Sequence, residues 1–304
     1  MTLAPIVLFV YNRPWHTQQT VEALQKNELA SESELFIYSD EAKNEDVRKN
    51  VDEVRKYIDN VNGFKKVTVI KREKNWGLAN NIIDGVTNIV NKYSKIIVLE
   101  DDLVTSPYFL KFMNEALKFY RDEKKIWHIS GWNYPISTDR LDDVFLWQFM
   151  NCWGWATWAN RWKFYEKNIP KTINDFTKKD RKKFNLDGVE NFWDQVITNK
   201  EGRTNTWAIF WYAKIFKQNG LCLNPSETLV ENIGRDGSGE NCGKTQTLKN
   251  ILSQKNSITF DTKIIENNLA YKRIQIFYKS QKKAFWIRMI NKLARMSIKR
   301  NLIK

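Results

Sequence analysis

Lys95-Ile96-Ile97-Val98-Leu99-Glu100-Asp101-Asp102 sets four aliphatic residues directly against three carboxylates. A short unbroken apolar run reads as a parallel strand buried on both faces. In a sheet of such strands, ligands bind beyond the carboxyl ends, which is where this run delivers its acids. Adjacent carboxylates repel one another unless a cation sits among them. Hard divalent ions such as Mn2+ or Mg2+ prefer oxygen ligands and bridge readily to phosphates. The plain alternative is a solvated acidic turn ahead of a helix, where negative charge is favourable anyway.

Working back toward Met1, the same alternation repeats. Pro5 to Tyr11 is a buried strand and Thr17 to Lys26 a helix. Glu34 to Ser39 is a second strand, followed by a charged helix over Asp46 to Asn60. Val67 to Ile70 is a third strand, and Leu78 to Tyr93 a helix leading into the acidic run. Pro107 then opens a helix to about Arg121, proline being favoured in a first turn. Four βα units in succession predict an α/β fold with a doubly wound sheet.

Working forward, the pattern loosens. Ile126 to Ser130 and Val144 to Phe149 read as strands, and seven of the 13 tryptophans fall between Trp127 and Trp162. Core filling is the main reading of those rings, although Trp132, Trp153, Trp155 and Trp158 would also suit a sugar platform. The Lys-rich stretch from Lys171 to Asp187 reads as a surface excursion. Helical patterning returns near Asn191 to Thr198 and Thr206 to Gln218, then a short strand at Leu221 to Leu223. Asn232 to Gly243 holds four of the 12 glycines and reads as a mobile loop. The expected division is a nucleotide-binding half over 1–123, an acceptor-binding half of the same domain over 124–250, and a basic helical tail over 251–304.

Of the net charge of +14, all but +3 belongs to the end of that tail. Tyr271 to Lys304 holds 11 of the 49 Lys and Arg and no Asp or Glu, leaving 38 basic against 35 acidic groups in the first 270 residues. A nucleic-acid-binding protein would carry its charge on the folded body, so nucleic acid is not the expected partner. Arg288, Lys292, Arg295 and Lys299 share one helical face, with Trp286, Met289, Ile290, Leu293 and Met296 mostly on the other. That amphipathic C-terminal helix suggests an anionic membrane surface. Cys152, Cys222 and Cys242 form no Cys-x-x-Cys pair. The opening Met1-Thr2-Leu3-Ala4 lacks the basic start of a signal peptide. The expected location is cytoplasmic, at the inner face of the membrane.

Ile97 to Pro107, with Glu100-Asp101-Asp102 at its centre, resembles the metal-binding motif of the GT-A glycosyltransferases. It is most like the inverting N-acetylglucosaminyltransferase I family, whose variant of the Asp-x-Asp motif is Glu-Asp-Asp. Tyr11-Asn12-Arg13, Ser39-Asp40, Ser130-Gly131-Trp132-Asn133, Gly154-Trp155, Phe192-Trp193-Asp194, Leu221 to Pro225 and Gly234 to Gly237 resemble further landmarks of that family in the same order. The resemblance spans roughly residues 4 to 243. It implies a GT-A (Rossmann-like) doubly wound mixed sheet with an irregular acceptor-side half, in a bacterial-type, cytoplasmic member.

The resemblance also implies roles. Asp102 would be the metal ligand for Mn2+ (or Mg2+), with Asp101 and Glu100 facing the donor's ribose and sugar. Asp40 would hold the nucleoside and Arg13 would approach the nucleotide. Asn75, in Asn75-Trp76-Gly77-Leu78, matches the Asn-x-Gly-Leu segment of many GT-A enzymes, where Gly77 would admit the donor. Asp194 would be the general base, although Gln195 stands where the family often has a second acid. Arg235 would close over the donor diphosphate. The family carries a cysteine at the position of His128, bonded to the counterpart of Cys222, so this chain would lack that bridge.

The reading is a metal-dependent inverting glycosyltransferase that moves a sugar from a nucleotide-sugar, UDP-linked in the first instance, to a saccharide. A lipid-linked or lipopolysaccharide-type glycan acceptor suits the basic tail. Two alternatives stay open. A sugar nucleotidyltransferase shares the fold and the metal chemistry, but Tyr11-Asn12-Arg13-Pro14 is not its Gly-rich loop. A catalytically inactive membrane-binding scaffold would not need Asp102 or Asp194.

Overall fold

In the computed structural model, which describes residues 2–237 and 251–282, the central strand is Ile6–Val10 (β1), buried at every residue. Both its faces are covered, as its unbroken apolar sequence requires. Helix Pro14–Gln25 (α1) follows, with Pro14 in its first turn. Then come strand Glu34–Ser39 (β2), helix Glu45–Ile58 (α2), strand Lys66–Lys71 (β3), helix Leu78–Tyr93 (α3) and strand Lys95–Glu100 (β4). Acidic residues open α2 and basic ones close it, matching the helix dipole. The four strands are parallel in the order β3-β2-β1-β4. The chain thus walks outward from β1 to β3 and then crosses back to the other side of β1. Right-handed crossovers place α1 and α2 on one face and α3 on the other. Between β1 and β4 lies the point where the winding reverses.

Past β4, a short strand Leu103–Thr105 (β5) leaves the main sheet, and helix Phe109–Phe119 (α4) follows. The helix predicted from Pro107 therefore begins two residues later: Ser106 caps the turn through Phe109 N–H, and Pro107 precedes it. Strands Ile126–Ser130 (β6), Val144–Trp147 (β7) and Trp155–Trp158 (β8) enlarge the sheet, with β8 inserted antiparallel between β4 and β6. The helices that follow are Ala159–Trp162 (α5), Ile169–Asp175 (α6), Lys178–Phe184 (α7), Asp194–Lys200 (α8) and Ala208–Lys217 (α9). Strand Leu221–Pro225 (β9) completes the eight-stranded order β3-β2-β1-β4-β8-β6-β9-β7, and Val230–Asn232 (β10) pairs antiparallel with β5. The fold is the doubly wound mixed sheet that the sequence implies.

Three expectations change. Lys171 to Asp187 is not a surface excursion: α6 and α7 turn their lysines outward while Phe176, Phe184 and Leu186 are buried. Thr177 and Asp180 cap α7 reciprocally. Asn232 to Gly243 begins as strand, and Ile233 N–H donates to the Asp102 carbonyl at 2.9 Å, while 238–243 lie outside the described residues. From 251 to 282 the chain packs onto the domain. Ser253 bonds Thr228 and Ser106, Phe260 stacks on Phe112, and a helix over 268–282 (α10) buries Ala270 and Ile274. The amphipathic face from Trp286 to Lys299 lies outside the described residues.

His128 and Cys222 are register partners on β6 and β9. Cys222 is a free thiol, so no bridge joins the two strands there. His128 instead accepts at Nδ1 from Trp211 (3.3 Å) and donates from Nε2 to the Asn151 carbonyl (2.8 Å). Complete burial pulls its pKa down to about 3, so the ring is neutral.

Candidate active site

A cavity of about 500 Å³ opens at the carboxyl ends of β1, β2 and β4. One wall comes from the first half of the chain: Arg13, Asp40, Asn75, Glu100, Asp101 and Asp102 all line it. Arg13 reaches across the point of reversal from the end of β1 to the end of β4. Its Nη2 donates to Asp101 Oδ1 and to Asp102 Oδ2, the latter at 2.9 Å. Both aspartates are buried, at 4% and 7% exposed. Thr20 of α1 fixes the turn that carries them. Its hydroxyl donates to the Asp101 carbonyl (2.8 Å) and accepts from Leu103 N–H (3.1 Å).

The electrostatics follow from that crowding. Burial, joined by the charges of Asp102 and Asp101, pushes the Glu100 carboxyl up to about 8. Burial also raises Asp101, partly offset by Arg13. Burial alone would lower Arg13, but the two aspartates outweigh it and hold the guanidinium firmly charged. Arg13 Nη1 is buried and has no hydrogen-bond partner among the described residues.

Asp40 lines the cavity and binds backbone at its edge. Its Oδ1 accepts from Glu41 and Trp76 N–H, and its Oδ2 from Gly77 N–H, each at 2.9 Å. Asn75 adds a longer bond at 3.4 Å and donates to the Glu41 carbonyl at 2.6 Å. Asp40 therefore fastens the turn ahead of α3, and Arg72 lies over the Trp76 ring at 4.0 Å. Gly77 is required there by its φ of +70°, and a side chain would meet no protein atom within 4 Å.

The opposite wall comes from the second half: Trp153, Gln195, Thr204, Asn205, Thr206 and Trp207. Asn199 of α8 holds it in shape. Its Nδ2 donates to the Gln195 carbonyl (2.7 Å) and to Thr206 Oγ1 (2.8 Å), and its Oδ1 accepts from Thr206 N–H (3.0 Å). Of these wall residues the sequence pointed only to Trp153; a polar loop between two helices carries no periodic signal. Trp132, Trp155 and Trp158 fill the core. Asp194 is exposed at the start of α8 and does not line the cavity, where its neighbour Gln195 does.

The loop after β10 closes the corner over Asp102. A Cβ on Gly234 would collide with Asp102 Oδ2 and fall 2.7 Å from Arg13 Nη1, so any side chain there would displace one or both of those groups. Arg235 stacks its guanidinium over Trp153 at 4.7 Å, on the cavity rim. Asp236 lies 3.2 Å from His16 Nε2 of α1.

The sequence profile of the GNT-I family matches residues 1–186, which include every residue named in the acidic wall. The chain belongs to the GNT-I family. No curated protein matches the sequence. Among solved structures the chain is similar to S. aureus TarS, 16% identical over 41% of this chain and 21% of that one, with a TM-score of 0.30. It is also similar to TarS 1–349, at 11% identity over 74% and 59% with a TM-score of 0.39. The mannosyltransferase PcManGT from Pyrobaculum calidifontis, solved with GDP-Man and Mn2+, is 8% identical over 71% and 69% with a TM-score of 0.34. The chain thus spans about a fifth of TarS and 59% of its 1–349 fragment.

Among the described residues no three His, Cys, Asp or Glu side chains converge as a complete ligand set for a metal. Mg2+-type ions are commonly held by one or two carboxylates, with substrate phosphates and water completing the shell. Asp102 fits that arrangement. The unpaired Nη1 of Arg13 beside it marks a corner that is short of an anion.

Proposed function

We propose that this GNT-I family member binds a nucleotide-sugar, UDP-linked in the first instance, and transfers the sugar with inversion to a saccharide acceptor. The observation that carries the reading is the buried Arg13–Asp101–Asp102 cluster at the winding reversal, facing a cavity large enough for a small ligand. A divalent ion, Mn2+ or Mg2+, held by Asp102 would supply charge neutralisation for the departing diphosphate. Arg13 supplies a planar fork of donors suited to phosphate oxygens. Glu100 and Asp101 accept from sugar and ribose hydroxyls. Asp40 and Asn75 hold the Gly77 turn against the nucleoside, and Arg235 flanks the diphosphate from the Trp153 rim. Asp194, one residue from the cavity wall, takes the proton of the acceptor hydroxyl at the cavity mouth.

The acceptor side is neutral and hydroxyl-rich, through Gln195, Thr204, Asn205 and Thr206, with Trp153 and Trp207 as flat surfaces. Those are saccharide-binding groups. A lipid-linked or lipopolysaccharide-type glycan agrees with seven Lys and Arg in 283–304 that would seat the enzyme on an anionic inner membrane face. Among the described residues no helix is long and apolar enough to cross a membrane.

The test is a panel of nucleotide-sugars with Mn2+, scoring slow donor hydrolysis without acceptor. One nucleotide-sugar should turn over only with the ion present. Hydrolysis of none, or equal rates in chelator, would contradict the reading. For the membrane claim, a chain ending at Lys282 keeps α10 and should leave anionic vesicles that full-length protein sediments with. Equal sedimentation of both would end that claim.

A further inference from the structure

We infer that Arg13 is the resident counter-cation of the metal corner, and that a nucleoside diphosphate must draw it away before Asp102 can take up a divalent ion. The inference rests on the donor-binding reading above and adds an order of events to it.

In the free protein, the only hydrogen bonds that the Arg13 side chain forms among the described residues are to Asp101 and Asp102. The Asp102 Oδ2 atom is enclosed. Arg13 Nη2 lies 2.9 Å from it on one side, and the Gly234 backbone packs so near on another that a Cβ has no room. A hard divalent ion binds a carboxylate oxygen at about 2.1 Å. On that oxygen the ion would stand at most about 5 Å from the guanidinium, two like charges in a poorly solvated corner. Water cannot screen them well, because Asp101 and Asp102 are both buried.

The same side chain has something to gain by leaving. Its Nη1 is buried without a hydrogen-bond partner among the described residues. A diphosphate in the cavity offers acceptors to both arms of the fork. Arg13 lines that cavity as the N-cap of α1: its carbonyl accepts from Thr17 N–H at 3.0 Å, while its side chain makes no cap bond and can turn without breaking the helix. Turning the guanidinium from Asp102 to the phosphates exchanges one set of charge-assisted bonds for another. It also leaves Asp102 Oδ2 free for the ion. Metal and nucleotide therefore bind with positive coupling, and the ion alone binds weakly.

The experiment is a Mn2+ titration followed by electron paramagnetic resonance of the free ion, with and without UDP, on wild type and Arg13→Gln. Without UDP, Arg13→Gln should hold Mn2+ about tenfold more tightly than wild type, within the usual range of site-to-site coupling. UDP should tighten Mn2+ binding by at least about tenfold in wild type and by much less in the variant. Adding Asp102→Asn to Arg13→Gln should remove the gain. Equal UDP-free affinities in wild type and Arg13→Gln would overturn the inference, as would a gain that survives Asp102→Asn. If Arg13→Gln does not fold, Arg13→Met, which keeps the aliphatic stem without the charge, carries the test. It should bind Mn2+ more tightly than wild type in the absence of UDP, and identical affinity would overturn the inference. Wild type that binds no Mn2+ even with UDP would defeat the donor-site reading itself. Tight Mn2+ binding with UDP but no change in the variants defeats only the order proposed here.

Discussion

On the β1–β4 side of the cavity, charged side chains stand zero to three residues from a strand end: Arg13 after Val10, Asp40 after Ser39, Glu100 to Asp102 at the close of β4. On the β6–β9 side nothing is so direct. Gln195 rides on a seven-residue helix, Thr204 to Thr206 lie in a loop pinned by Asn199, and Trp153 follows a segment pinned by His128 through the Asn151 carbonyl. The first wall is built by topology, which fixes where strand ends meet. The second is built by side chains that fill space, so its shape depends on aromatic packing far from any ligand. A family can share the first wall while the second is reshaped for another acceptor. The profile match over 1–186 includes all of the first wall and, of the second, Trp153 but not Gln195 or Thr204 to Trp207.

Asp194→Asn probes that division most severely, since Asp194 is the one reacting group assigned to the second half. Turnover should fall by about two to four orders of magnitude, the usual worth of a positioned base, with Mn2+–UDP binding nearly unchanged. Near-normal turnover at saturating acceptor would move all the chemistry to the first half.

His128 tests whether packing holds the second wall. Its folded pKa of about 3 lies below its ordinary value near 6.5. Above that ordinary value both states are neutral and the ring contributes no pH dependence. As pH falls from about 6.5 toward 3, the unfolded chain binds a proton that the folded chain refuses. Stability should therefore drop by about 1.4 kcal/mol per pH unit well below 6.5, from this group alone. Melting curves from pH 7.5 to 4.5 should show a steeper decline for wild type than for His128→Asn, although the variant is less stable at pH 7.5. Parallel declines would show that His128 is not what couples this wall to pH.

Gly234→Ala makes the smallest change, one methyl from the second half set against the acidic corner. Overpacking costs typically about 1–3 kcal/mol, here expressed in binding because the corner lies at the cavity. Calorimetry should show Mn2+–UDP affinity reduced by about tenfold or more with the melting temperature little altered. Unchanged affinity would mean that the loop stands clear of Asp102 in solution.

These walls also differ in how far the sequence discloses them. Glu34–Ser39 and Leu78–Tyr93 have the bounds their residues suggest, because unbroken apolar runs and helical periodicity depend on local chain alone. Glu100, Asp101 and Asp102 were visible because a strand end is visible, Arg13, Asp40 and Asn75 through the family resemblance, and all six line the cavity. The detail that Asp40 clamps the Asn75–Gly77 turn was not, since it depends on how β2 and the turn before α3 meet in space. Trp155–Trp158 did not read as a strand, because its residues are equally at home in any aromatic core. Lys171 to Asp187 misled through its lysines, which mask three buried apolar positions. Gln195 was noticed only as a departure from the family. Its place in the wall, with the exposed Asp194 next to it, follows from the rotation of a short helix that periodicity cannot resolve.

The central claim is that the acidic end of β4 is a metal-assisted donor site, and calorimetry of UDP with Mn2+ tests it most directly. Wild type should bind UDP only with the ion present. Asp102→Ala should lose that binding while keeping its far- and near-UV circular dichroism, because Asp102 lies beyond the strand and outside the core. Equal Mn2+-dependent affinity in wild type and Asp102→Ala would contradict the account.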